Sequence, residues 1–430
     1  MSTIKISNKL CLDNVNIFFL KEKRVLIRVD YNVPIKDGKV TNSFRIVSSI
    51  PTIRYCMDRG AKTIILMSHL GRPDGQVNKK YSLAPVAKVL ESELKMKIVF
   101  LDDCVGQMVE DRCAQTRGIV LLENLRFHPE EEGQGIDKGS GKKFKPSKES
   151  IEQFRKSLTR LGDIYVNDAF GAAHRAHSSI VGIDLGVRVA GLLMKKELKY
   201  FAVALESPVK PFLAILGGAK VSDKIKLILN LLDKVDMMII GGGMAFTFKK
   251  VIDQMKIGDS LFDANVSVDL IKQIVEKAKK NNVRLYLPVD FLIADKFDKT
   301  ANTMVVTDMQ GIPDGWRGLD CGPLTIQDNA KVIAQAHTIV WNGPPGVFEM
   351  EPFSHGTKSL IQSLVHATTT NQTTVIVGGG DSVAALTPND HVSHISTGGG
   401  ASLELLEGRQ LPGITILSNN NSNININSKL

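Results

Sequence analysis

A chain of 430 residues, 43% apolar and 23% charged, is long enough for two soluble domains with cores of their own. Its formal charge of +9 is spread along the chain beside only 6% aromatic residues and no base-stacking motif. That distribution argues against a nucleic-acid or anionic-membrane partner, and an acidic small-molecule substrate explains a basic surplus equally well. Apolar runs such as Thr63–Met67 are far too short to span a membrane, and MSTIKISNKL has no signal-peptide core. Five scattered cysteines (Cys11, Cys56, Cys104, Cys113 and Cys321) without a CxxC suit free thiols in a reducing compartment and make a zinc site unexpected.

In chain order, RVLIRVDYNVP at Arg24–Pro34 predicts a buried strand running into a proline-ended loop. The pattern returns at Thr63–Pro73, Ile119–His128 and Asp163–His177, with helical spacing between, as at Leu83–Leu94. Together these predict a first parallel α/β domain. Its loops carry Asp30, Asn32, Arg45, His69, Arg72, Arg126, His174, Arg175 and His177. A lone arginine is usually a solvated charge. Four at corresponding points of successive strand-loop-helix units instead predict a basic pocket for a ligand with more than one anionic group, which arginine grips bidentately. Nothing places the histidines beside a nucleophile, so they read as hydrogen-bond donors rather than general bases. His128–Glu149, rich in Gly, Lys and Glu, reads as a mobile surface loop without chemistry. Val187–Leu205 regains helical spacing from Val189 onward and is a candidate connector.

The second half repeats a different unit five times: a β-branched run followed by glycines, at Phe212–Lys220, Met237–Phe246, Thr338–Gly346, Thr374–Leu386 and His394–Ser402. Bare glycine turns leave amide N–H groups open to an anion, and a parallel sheet sets such turns side by side at the carboxyl ends of its strands. The repetition predicts one phosphate-lined cleft. The stripe Val221, Ile225, Ile228, Leu229, Leu232 and Val235 predicts a helix with Lys220 and Lys224 in its first turns. The helix dipole disfavours cations there by a few tenths of a kcal/mol each unless an anion lies near, so Lys220 reads as a phosphate ligand. Leu285–Ile293 and Arg317–Pro323 look like strand and edge pieces, and Glu349 could accept from ribose hydroxyls. Asp381, opening the helix after Gly378-Gly379-Gly380, could hold a hard cation. A short helix begins at Leu403–Leu406 and Pro412 breaks it. Residues 419–430 are Asn and Ser apart from a few others and are expected to be disordered, ending in Ser428-Lys429-Leu430, which matches a peroxisomal address.

The chain has no G-x-x-x-x-G-K-[ST], no H-R-D, no D-F-G and no strand followed by a clean G-x-G-x-x-G, which weakens P-loop, protein-kinase and dinucleotide readings. A sugar-phosphate isomerase or dehydrogenase would also want arginines and glycine turns, but would not need a metal-capable aspartate, and a dehydrogenase would need its fingerprint. What remains fits phosphoryl transfer between two bound ligands. RVDYNVP, MSHLGRPDG, LLENLRFHPEEE, YVNDAFGAAHRAHSS, LAILGGAKVSDKI, IIGGGMAFTF, IVWNGPPGVFE, GGGDS and STGGGASLELLEG resemble the phosphoglycerate kinase family, from about Ser7 to Ser418.

That resemblance implies two Rossmann-like α/β domains with parallel sheets. The first, 1–188, would bind 3-phosphoglycerate, with 408–418 packing back onto it; an interdomain helix would span 189–206, and a Mg-nucleotide domain 207–407. It implies reversible phosphoryl transfer between 1,3-bisphosphoglycerate and ADP by a cytoplasmic, monomeric enzyme whose domains close. Asp30, Asn32, Arg45, His69, Arg72, Arg126 and Arg175 would bind the glycerate. Gly218, Ala219, Lys220, Lys224, Gly243, Leu261, Gly318, Asn342, Glu349, Gly380, Asp381 and Ser382 would hold the nucleotide, with Mg²⁺ on Asp381. Arg45, Lys220 and the amides of Gly379 and Gly380 would face the transferring group. Pro345, Met350 and a shortened segment after Asp381 depart from the family pattern and bear on nucleotide affinity.

Overall fold

The strand Arg24–Arg28 is central to the first half because Val25, Leu26 and Ile27 leave no surface exposed. In the computed structural model, which describes residues 5–420, it pairs in parallel with Thr63–Met67 on one side and Ile164–Asn167 on the other. The six-stranded sheet runs Arg188–Ala190, Ile164–Asn167, Arg24–Arg28, Thr63–Met67, Gly118–Leu121, Ile98–Phe100. Its near-continuous apolar runs reflect burial of both faces: Val25, Ile27, Ile64 and Leu66 pack into one core, Leu26, Ile65, Met67 and Tyr165 into another.

Packing divides the chain into two units, one from the start to Lys199 with the return segment from Gln410, the other Tyr200–Arg409. The first closes on its own return segment. The Lys9 ammonium donates to the carbonyls of Thr415 and Leu417 (3.1 and 3.0 Å), and the Asn167 side chain donates to the Gly413 carbonyl (3.0 Å). Pro412 starts a helix, Pro412–Thr415, at the one helical position where a missing N–H is harmless. Asn419 bridges to Lys9 and the Asn420 amide donates to the Asn8 carbonyl, so ordered backbone continues two residues into the segment expected to be disordered. Ser428-Lys429-Leu430 lies outside the described residues.

Three expectations change in this region and the next. Val189 belongs to the edge strand Arg188–Ala190, not to a helix, and the connector helix is Leu192–Glu206. Periodicity cannot distinguish a three-residue strand from a helix start; the boundary is set by Thr52 and Asp168, whose oxygens accept from the Leu192 and Met194 amides (2.9 and 3.1 Å). His128–Glu149 is not an unstructured loop but a helix (Pro129–Glu132), a small hairpin (Gly135–Ile136 with Lys143–Phe144) and the start of helix Lys148–Arg160, capped by Ser147 Oγ. Polar contacts hold it, which is why it lacks an apolar period: Glu131 is buried and accepts from the amide and hydroxyl of Ser179 (2.8 and 2.6 Å).

In the second unit all five glycine turns leave the carboxyl ends of strands in one parallel sheet, ordered Arg284–Tyr286, Met237–Ile240, Phe212–Leu216, Thr338–Asn342, Thr374–Gly378, His394–Ile395. The third difference is the helix after Lys220, which spans only Ile225–Leu231. Asp263 accepts from the Ser222 amide (2.8 Å) and holds residues 220–224 as a turn, with Lys224 immediately before the helix. A smaller antiparallel sheet joins Asp290–Ala294 to Arg317–Cys321 and to Thr303–Thr307, a strand the sequence reading did not contain.

Candidate functional site

In the first unit, adjacent strand ends gather four of the expected side chains, Asp30, Asn32, Arg45 and Arg126, into one hydrogen-bonded group. Arg45, at the start of helix Phe44–Asp58, donates to Asp30 Oδ2 (2.8 Å), whose other oxygen accepts from the Asn32 amide (3.1 Å). The Asn32 side chain then accepts from the Gly71 amide (2.9 Å), and Arg126 donates to the Gly71 carbonyl (2.7 Å) and pairs with Glu132 (3.1 Å). Arg72 and Arg175 are exposed. Arg72 has no hydrogen bond or ion pair among the described residues, while Arg175 donates to His174 (3.2 Å) and its charge reaches Arg126 and His177.

Sequence reasoning missed the layer beneath. Arg28 is fully buried and donates to Ser179 Oγ (2.8 Å) and the Val29 carbonyl (2.6 Å), with Glu131 at 3.7 Å. The signal was present as a charge inside an otherwise apolar strand. Its third partner is His69 Nδ1, at 3.2 Å. A guanidinium can only donate, so His69 Nδ1 accepts and Nε2 carries the proton. Burial, then the charges of Arg28 and Arg126, hold the His69 imidazole well below its ordinary range. His177 is pushed down to about 3 by burial and then by Arg126 and Arg28. Both rings are therefore neutral at physiological pH, and each keeps one ring N–H to donate.

In the second unit Gly218, Ala219, Gly243, Leu261, Gly318, Glu349 and Asp381 line one cavity of about 530 Å³. Its remaining wall is largely apolar: Phe246, Pro288, Phe291, Leu319 and Val347, with Pro345 and Met350, the two departures, among them. Gly318 is required by contact, since a Cβ there would sit 2.2 Å from the Phe246 ring. The glycine turns build the opposite side of this region. Gly379 has φ +90° and a Cβ would approach the Asn342 amide nitrogen to 2.9 Å, so no other residue fits between strand end and helix Gly380–Ala385. Ser382 Oγ accepts from the Gly343 amide (2.6 Å), tying that turn to the next. Lys224 donates to the carbonyl of Asn342 (2.7 Å) and to its side-chain oxygen, whereas Lys220 is exposed and has no hydrogen bond or ion pair among the described residues. Asp381 is exposed in the first turn of its helix, and its charge partly offsets the burial that depresses Lys224. An open carboxylate oxygen beside a phosphate-sized row of amides fits a hard divalent cation, which takes one or two carboxylates together with ligand phosphates.

A buried basic group on one parallel sheet and, on another, a glycine-lined cavity with Lys220 and Lys224 on the turn after its first glycines fit a phosphotransferase of the two-domain α/β class. Comparison with known proteins narrows this. A family model described as Phosphoglycerate kinase matches residues 14–409. The phosphoglycerate kinase of Dictyostelium discoideum is 62% identical over 424 residues, 97% of this chain and 100% of that protein. Phosphoglycerate kinase 1 of Rhizopus niveus is 57% identical over 423 residues, 97% and 100% of the two chains. The solved structure of phosphoglycerate kinase from Coxiella burnetii superposes with a TM-score of 0.81 at 41% identity, covering 95% of this chain and 98% of that one. The chain belongs to the phosphoglycerate kinase family, and its reaction is reversible phosphoryl transfer between 1,3-bisphosphoglycerate and ADP, giving 3-phosphoglycerate and ATP. No helix among the described residues is long and apolar enough to cross a membrane.

Proposed function

We propose that the two ligands are divided between the two units, the glycerate on Asp30, Asn32, Arg45, His69, Arg72, Arg126 and Arg175, the nucleotide on the glycine-lined cavity with Lys220 and Lys224. The observation that carries this partition is the convergence of all five glycine turns at one end of a single sheet, beside a cavity whose other wall is apolar enough for a base. The transferring group carries its charge on three equatorial oxygens. Lys220, the Arg45 guanidinium and the amides of Gly379 and Gly380 stabilise that charge, and no general base is needed because the acceptor is already a carboxylate. Asp381 would hold Mg²⁺, which neutralises phosphate charge when bound.

Both tryptophans, Trp316 and Trp341, lie in the nucleotide unit, and Trp341 Nε1 donates to the carbonyl of Gly343 in a glycine turn (2.8 Å). The Trp341 indole resonance should therefore move with Mg-ADP and stay in place with 3-phosphoglycerate alone. An equal response to 3-phosphoglycerate would reject the partition. In-line transfer needs the two ligands brought together, so both at once should compact a monomeric chain in small-angle scattering more than either alone; identical profiles would reject closure. We also propose that a cytoplasmic enzyme has a peroxisomal fraction, recognised by an import receptor through Ser428-Lys429-Leu430. A fluorescent protein ending in residues 419–430 should enter punctate organelles and disperse when Leu430 is removed.

A further inference from the structure

Strands Ile98–Phe100 and Gly118–Leu121 are neighbours in the first sheet, so the loops leaving their carboxyl ends run side by side. One carries Asp103 and Cys104, the other ends at His128. His128 Nε2 lies 2.7 Å from Asp103 Oδ1, and a ring nitrogen of His128, a carboxylate oxygen of Asp103 and Cys104 Sγ are all within 4.8 Å of one another. The Cys104 thiol is fully buried and, among the described residues, hydrogen-bonds to no other residue, although it faces this pair. The His128 ring is set against Phe154 at 5.4 Å, and beyond it opens a cavity of about 430 Å³ lined by His128, Glu130, Ser157 and Arg160.

We propose that Asp103, Cys104 and His128 form a binding site for a borderline divalent transition cation, of which Zn²⁺ is the type, separate from the Mg²⁺ position at Asp381. One carboxylate oxygen, one thiolate and one imidazole are three of the four ligands of a tetrahedral zinc site, and the cavity leaves the fourth position to water. The donor set also discriminates: thiolate and imidazole favour Zn²⁺ or Co²⁺, whereas Mg²⁺ takes oxygen. Two ligands bonded at about 2.0–2.1 Å with tetrahedral angles stand roughly 3.3 Å apart, so Asp103 and His128 separate by about half an ångström as the cation replaces the proton they share. The Cys104 thiol proton leaves to solvent as the S–metal bond forms. No sequence motif announces this site because its ligands come from two loops rather than one CxxC. His128 lies two residues after Arg126, so the bound cation would fix the loop that positions that arginine.

Cobalt tests the proposal. After chelation and desalting, Co²⁺ added to the full chain should give a thiolate-to-cobalt band in the near ultraviolet and the visible bands of a four-coordinate ion, at one equivalent. Zn²⁺ should displace it and excess Mg²⁺ should not. Cys104→Ser should abolish the thiolate band while retaining turnover with Mg-ATP. His128→Asn, at a half-exposed position, should keep the band and weaken Co²⁺ binding at least about tenfold. The absence of the band in the native chain, its persistence in Cys104→Ser, unaltered affinity in His128→Asn, or displacement by Mg²⁺ would each overturn the site.

Discussion

Among the described residues the Lys224 ammonium is held by a single one, Asn342, through both its main-chain carbonyl and its side-chain oxygen. Burial lowers this lysine to about 8 from an ordinary 10.5, against the smaller opposing pull of Asp381 and Asp223. Between those two values the unfolded chain holds a proton that the folded chain has lost, so this group makes the fold more stable as pH rises through the window. Nucleotide binding should run the other way. Below about 8 the charged lysine faces phosphate, and as pH climbs to 9 the affinity for Mg-ADP should fall severalfold. Calorimetry across that range checks it: Lys224→Arg, which stays charged, should flatten the profile, and a profile unchanged by this substitution would remove Lys224 from phosphate binding.

Lys220 is exposed and has no hydrogen bond or ion pair among the described residues, which leaves its ammonium available for the transferring phosphoryl group. Lys220→Ala should lower kcat on the order of 10²–10³-fold with modest changes in KM, as when a charge contact made chiefly in the transition state is lost. Thermal stability should not change, since no buried contact is removed. Steady-state kinetics with an intact kcat would sink this role.

Arg72 and Arg126, the two arginines proposed to bind the glycerate from different depths, should separate in their effects on stability. Arg72 is exposed and, among the described residues, has no hydrogen bond or ion pair, so Arg72→Ala should raise the KM for 3-phosphoglycerate, leave that for ATP nearly alone, and shift stability by less than about 0.5 kcal/mol. Arg126 is buried, bonded to Gly71 and paired with Glu132. Its removal leaves the half-buried Glu132 carboxylate and the Gly71 carbonyl without their donor, which costs roughly 1–3 kcal/mol. Arg126→Ala should therefore lose glycerate binding and melt at a clearly lower temperature. Equal melting temperatures for the two variants would contradict the burial of Arg126.

The glycine turns and loop arginines were legible because each motif is local: a strand end, a few residues and a helix start lie within about ten positions. Their placement along single parallel sheets followed from the same pattern. What was not legible depends on partners distant in sequence. Glu131 sits in a run that looks solvated until Ser179 and Arg28 are brought to it. Lys224 belongs to a turn rather than a helix because Asp263, about forty residues on, holds Ser222. The apolar wall of the glycine-lined cavity draws on Phe291 and Leu319, which periodicity assigns to a strand without saying which pocket they face.

Asp381 offers the last test, because a helix cap and a metal ligand make opposite predictions there. Among the described residues the Asp381 carboxylate has no hydrogen bond or ion pair, and Gly379, not Asp381, occupies the position before the helix. A carboxylate so placed adds only a few tenths of a kcal/mol through the helix dipole, so Asp381→Asn should leave the melting temperature of the free enzyme nearly unchanged. Productive nucleotide binding should suffer instead, since a hard cation loses an anionic oxygen and keeps at most a neutral amide oxygen in its place. The KM for Mg-ATP should rise at limiting Mg²⁺ and recover in part as Mg²⁺ is raised, while the KM for 3-phosphoglycerate stays near that of the native enzyme. Initial rates over a matrix of Mg²⁺ and ATP concentrations separate the outcomes. A variant that matches the native enzyme at low Mg²⁺ would show that Asp381 holds no metal, and one that fails at all Mg²⁺ concentrations with a lowered melting temperature would make it a structural residue.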